Sequence, residues 1–130
     1  MRNLEARVAQ LIQLNVPTTI EVREGERNVG IPKDQIIVVN LESKRPKTPA
    51  YSNVFECFFK IELRMHYAES TEQEMQIAGD SIHFAISNKD AFISEEDVLY
   101  HQIQDVRKRV LNDMWIQEFT LLLISVDKES

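Results

Sequence analysis

The chain has 130 residues, 43% hydrophobic and 28% charged, which suits one globular domain spanning 1–130 and leaves no room for a second. Its formal net charge of −6 excludes a general binder of nucleic acid or of anionic membranes, since those surfaces attract basic proteins. The lone Cys57 excludes an internal disulfide and suits a reducing compartment.

In chain order, Asn3 is placed to cap an amphipathic helix carrying Leu4, Val8, Leu11 and Ile12 at helical spacing, and Pro17 stops it. Arg2, Glu5 and Arg7 interrupt any apolar core that a secretory signal would need. Thr18–Arg23 then turns to period two, predicting a short strand, and Glu24–Asp34 reads as a polar loop. Gln35–Leu41 holds Ile36, Ile37, Val38 and Val39 without alternation, the pattern of a strand covered on both faces. Ser43–Pro49 carries Lys44, Arg45 and Lys47 between prolines and is predicted to be a loop.

The dominant local feature is Val54–Tyr67. Phe55, Cys57, Phe59, Ile61, Leu63, Met65 and Tyr67 alternate with Glu56, Phe58, Lys60, Glu62, Arg64 and His66, so one face of a long strand should be buried. At ~3.3 Å per residue it would span on the order of 45 Å, longer than an ordinary strand, so its end should pack on another subunit. Ser70 or Thr71 with Gln73 or Glu74 forms a capping box for a second helix, with Met75, Ala78, Ile82 and Ile86 as its apolar stripe. Gly79 lies on that helix, either at a close approach to a neighbour or as a tolerated glycine. Val98–Leu111 is ambiguous: Leu99, Ile103, Val106 and Val110 fit a helix, capped by Ser94 and the acidic Glu95, Glu96 and Asp97. Trp115–Val126 reads as a buried strand, and its strongly apolar core, Leu121–Ile124, is far short of the ~20 residues of a membrane helix.

No residue pattern points to bond chemistry. His66, His83 and His101 lack metal-ligand spacing, and His66 with Glu69 and Glu72 offers too few assured ligands, so neither a metal nor another cofactor is expected. Gly25, Gly30 and Gly79 form no phosphate cradle, Cys57 sits mid-strand as a packing residue, and Glu95 and Glu96 read as a solvated pair. Arg107, Lys108 and Arg109 read as a solvated face. Lys44, Arg45 and Lys47, with Tyr51 beyond, are the candidate contact to another subunit.

The order of an amphipathic helix, a strand, "IPKDQIIVVN", a proline-flanked loop, "AYSNVFECFFKIELRMHYAES", "STEQEMQIAGDSI" and "WIQEFTLLLISV" resembles the tail terminator and tail-completion proteins of tailed bacteriophages over nearly the whole chain. That resemblance implies an α/β (α+β) fold, a mixed, mainly antiparallel sheet with one long strand and two flanking helices. It implies a virion protein made in the host cytoplasm that assembles as a ring, commonly a hexamer. The ring would cap the tail tube protein, offer a docking face to a neck or head-completion protein, and let DNA pass through an acidic pore without specific binding. It also makes Val98–Leu111 a strand beside Trp115–Val126, and the strand is the reading adopted here, since Tyr100, Ile103 and Val106 can be accommodated in a strand between two layers. The alternatives are a head-completion or neck protein, a tube or baseplate subunit of a contractile injection machine, or a small cytosolic enzyme or ligand-binding α/β domain.

Overall fold

The computed structural model describes residues 4–18, 20–25, 35–48, 51–66, 72–88, 91–92, 98–111 and 114–126, with the side chains of Lys47, Thr48, Tyr51, Ser52 and Leu111 left aside. Asn3, the capping residues Ser70 and Thr71, Glu69, and the acidic run 95–97 lie outside the described residues.

Leu4, Val8, Ala9 and Ile12 line one side of α1 (Leu4–Gln13) and are buried, as the helical spacing requires. The short strand β1 (Glu21–Glu24) begins later than the alternation from Thr18 predicts. It runs parallel to β2 (Gln35–Thr48), pairing Glu21 with Ile36 through Glu24 with Val39. The next strand, β3 (Tyr51–His66), is 16 residues long and antiparallel to β2. After α2 (Glu72–Ser87) come β4 (Val98–Leu111) and β5 (Met114–Val126), a second antiparallel pair, and β5 lies against β3. The sheet order is β1-β2-β3-β5-β4, a mixed and mainly antiparallel sheet of an α+β fold.

The alternation in β3 organises the packing. Cys57, Phe59, Ile61, Leu63 and Met65 are buried in one cluster with Leu4, Val8 and Ile12 of α1 and Ala78, Ile82 and Ile86 of α2. Both helices therefore cover the same face of the sheet. From β5, Phe119, Leu121 and Leu123 join that cluster, and Ile37 and Val39 join it from β2. Ile36 and Val38 point the other way yet are also buried, so β2 is covered on both faces where its apolar run predicts.

Two sequence expectations are corrected. Ser43–Thr48 is not a loop but the distal half of β2, pairing Ser43 with Phe58, Arg45 with Glu56 and Pro46 with Phe55. Pro46 is tolerated there because β1 stops at the level of Val39, leaving a strand edge where a missing N–H costs little. Val98–Leu111 is a strand, as the resemblance implies, but it is an edge strand and not one held between layers. Tyr100 and Val106 are 45% and 39% exposed, and only Ile103 of the three packs against the core. The helix-like spacing of Leu99, Ile103, Val106 and Val110 arises because bulges after Val98 and Ile103 shift the alternation.

The end of β1 is closed by a side chain from α1. Gly25, at φ 74°, donates to the Val39 carbonyl at 2.6 Å, and its left-handed backbone turns the chain away. One step further along β2, the Leu41 N–H donates to the Glu5 carboxylate at 2.7 Å. Glu5 thus takes the place that a further β1 residue would fill.

These contacts set two expectations. Phe59→Ala, which empties a fully buried aromatic position, should lower unfolding free energy by about 3–5 kcal/mol in urea titrations. Glu5→Ala should cost about 1–3 kcal/mol by leaving the Leu41 N–H without its charged acceptor, with Glu5→Gln retaining part of that. An unchanged urea midpoint in either alanine variant would contradict the packing described.

Candidate assembly surfaces

The face of the sheet that the helices leave uncovered divides into a charged half and an apolar half. Even-numbered β3 and β5 residues point there, and the register sets Glu62 directly opposite Glu118. Two carboxylates opposed in this way repel, and cations from three neighbouring positions offset them. Arg64 Nε donates to Glu62 at 2.6 Å, Lys60 lies 3.8 Å from Glu62 and 3.5 Å from Glu118, and Arg109 lies 3.7 Å and 4.0 Å from the same pair. Lys60 also approaches Glu42 at 3.9 Å. The Glu62 side chain is only 5% exposed, and Ile36, Val38 and Ile116, the register partners of Arg64, Glu62 and Arg109, are buried beside it, an arrangement in which long aliphatic stems can close over apolar neighbours. Nothing in the sequence marks this group, because its members meet only through strand register.

Toward the hairpin end the same face becomes mostly apolar, with Glu56 set opposite Arg45 on one side and Ile124 on the other. Phe58 pairs with Leu122, Tyr100 with Ile124 and Val54 with Val126, and all of these side chains are at least partly exposed. Tyr100 donates to Gln102 at 2.8 Å along its rim.

The structure splits the basic residues singled out from sequence. Lys44 and Arg45 are adjacent in a strand and point to opposite faces: Lys44 lies 4.5 Å from the centre of the Phe55 ring, and Arg45 lies 5.7 Å from that of Phe58. They do not form one patch. Lys47 and Tyr51 are placed near the hairpin turn by their backbones, with Tyr51 paired to Thr48. In the second basic run, Arg107 bonds Asp105 at 2.6 Å and Arg109 joins the Glu62 group.

The titratable residues have structural neighbours. His101 Nδ1 is 3.1 Å from the Ile86 carbonyl, and its ring meets Phe92 edge-on at 5.0 Å. A proton on Nδ1 makes this a donated bond to a helix C-terminal carbonyl, tying α2 to β4. His83 contacts Ser87 within α2 at 3.4 Å. Burial pushes the Cys57 thiol up from its ordinary value, outweighing its contact with the Ser125 hydroxyl at 3.8 Å and the charge of Lys44. A raised, inaccessible thiol is a poor nucleophile. Among the described residues no cluster of His, Cys, Asp and Glu is placed to hold a metal ion, and no helix is long and apolar enough to cross a membrane.

Gly79 sits where α2 crosses β5, and a Cβ there would run into the Gln117 side chain, so the close approach open to it in sequence is real. Beside it, a groove of about 240 Å³ lies between the start of α2 and the ends of β4 and β5, with Met75, Val110 and Trp115 among its lining and Glu72, Lys108 and Arg109 at its polar margin.

No protein-family model and no curated protein sequence matches this chain. Among solved structures it is similar to a chain from a "virion of native gene transfer agent (GTA) particle", with a TM-score of 0.66, 14% identity, and 95% of both chains covered. The likeness establishes a shared fold along the whole length.

Two measurements test this surface. Glu62→Ala should cost about 1–3 kcal/mol in chemical denaturation by stripping Arg64 of a buried partner, whereas Arg109→Ala, at a half-exposed position, should cost less than about 1 kcal/mol. Cys57 in the native protein should resist a thiol reagent at neutral pH and react only on unfolding, with rapid native-state labelling as the contrary result.

Proposed function

We propose that this protein is a structural component of a virion, and specifically a tail terminator: a ring that caps a finished tail tube, ends its polymerisation and presents a docking face to the neck. The observation that carries the reading is the full-length fold likeness to a virion chain. It is supported by surfaces suited to assembly: a partly exposed, mostly apolar half-face on the sheet, and Ile77 and Phe84 on the outside of α2. Such surfaces in a net-acidic chain suit a protein that completes its packing with neighbours. No bond chemistry is part of this reading; His101 and His83 make hydrogen-bond contacts and Cys57 is buried.

In this reading the subunits close head-to-tail, as a heterologous contact must to form a ring, and a hexamer is the proposed size. Its partners are further copies, the tail tube protein and a neck or head-completion protein, with DNA passing through the pore unbound by sequence. The distal hairpin, with Lys44, Arg45, Lys47 and Tyr51, is the proposed contact to the next subunit or the tube. The same likeness supports a second reading, a head-completion or neck protein or a tube or baseplate subunit, and co-purification with a portal or a growing tube separates these from a terminator.

Electron microscopy of the purified protein and of lysates from complemented phage tests the proposal. Rings at the ends of tubes of uniform length are expected. Lys44→Glu with Arg45→Glu should leave the monomer folded while lowering ring formation or tail capping, giving over-long or uncapped tubes. Normal rings and tails from that double variant would remove the hairpin from the contact, and a protein that stays monomeric beside uncapped tubes would remove the terminator reading itself.

A further inference from the structure

The outer side of α2 carries a stripe that no element among the described residues covers. Its inner side, with Ala78, Ile82 and Ile86, is buried against the sheet. Ile77, Asp80, Ser81 and Phe84 recur at helical spacing on the opposite side, with Ile77 and Phe84 50% and 60% exposed. Large apolar side chains exposed in this pattern, one turn apart on either side of a carboxylate, are the face of a helix that packs on something.

The surface with matching chemistry is the apolar half of the uncovered sheet face. Phe58, Leu122, Ile124 and Tyr100 form a shallow platform, and Arg45, held over the Phe58 ring, puts a guanidinium at its margin. A sheet face of this kind is ordinarily buried beneath a helix. The described helices, α1 and α2, both lie on the other face, which leaves this platform open to a helix from another copy. Charge constrains how it sits: Asp80 within the apolar stripe of α2 meets Arg45 at the edge of the platform and has to stay clear of Glu56, which lies opposite Arg45 on the same face.

We propose that the outward stripe of α2 docks on the open, apolar half-face of the sheet in a second copy of this chain, with Phe84 and Ile77 over Phe58, Leu122 and Ile124 and Asp80 against Arg45. The proposal rests on the ring reading and deepens it by naming the contact. The two patches are different surfaces on opposite sides of one subunit, so the contact is heterologous, and repeating it stacks sheet, helix and sheet around an axis until the ring closes. The charged half of the sheet face, with Glu62 and Glu118, stays outside the contact, because its ions already offset one another within the subunit.

Site-directed crosslinking of the full chain tests this. Ser81→Cys with Gln102→Cys puts one thiol on the α2 stripe and the other beside Leu122 on the platform, and within a single chain the helix and the sheet lie between them. Treated with a short bis-maleimide, the double variant should give a ladder of covalent multimers ending at the ring size, while each single variant gives none. Rings visible by electron microscopy without that ladder would overturn this contact and leave the ring reading standing. Dimers from Gln102→Cys alone would point to two platforms meeting each other and overturn it as well. A wild-type chain that forms no rings and a double variant that gives no ladder would end both. Independently, Asp80→Arg should lower ring yield at least tenfold without changing the melting curve of the monomer, and adding Arg45→Asp should restore it. Unaltered assembly of Asp80→Arg would count against the charge pairing.

Discussion

The two-residue period of β3 is the constraint from which the rest of the structure follows. This strand lies between β2 and β5 along nearly its whole length, so its odd-numbered residues decide which face the helices must cover. Phe59, Ile61 and Leu63 are fully buried because α1 and α2 both sit on that side. A one-residue slip of β3 would exchange Phe59 and Ile61 for Lys60 and Glu62 in the core, at a cost no neighbouring contact could offset.

Covering one face leaves the other as a two-part surface. In the charged part, Glu62 and Glu118 are brought opposite each other by register, and Lys60, Arg64 and Arg109 hold them. That group lets long polar side chains close over Ile36, Val38 and Ile116 where a second layer of helices would otherwise be needed. In the apolar part, Phe58, Leu122 and Ile124 stay partly exposed, with Arg45 over the Phe58 ring. The proposed assembly role draws on this contrast between a closed part and a more open part of one sheet face.

Edges are treated unequally. Where β1 stops, Glu5 from α1 occupies the next backbone donor of β2, which blunts that edge against indiscriminate strand addition. On the far side, β4 is kept from being flat by two bulges and carries Arg107, Lys108 and Arg109 near its C-terminal end. Both devices discourage edge-to-edge aggregation, so specific contact falls to side-chain surfaces.

From the sequence alone the long strand, the doubly covered run Ile36–Val39, the stripe of α1 and the packing role of Cys57 were all legible, because each depends on burial repeating at a local period. Other features were settled only by tertiary structure. Ser43–Thr48 has the composition of a loop, and it becomes a strand through pairing with β3 and the stacking of Lys44 and Arg45 on phenylalanine rings. Val98–Leu111 carries a helical spacing, yet pairing with β5 outweighs that preference, and its bulges account for the misleading pattern. The Glu62 group, the reach of Glu5 to Leu41 and the platform around Phe58 join residues far apart in the chain. Strand register and the choice of face are non-local, so the meeting of these side chains is decided by how the strands pair and not by any stretch of sequence read alone.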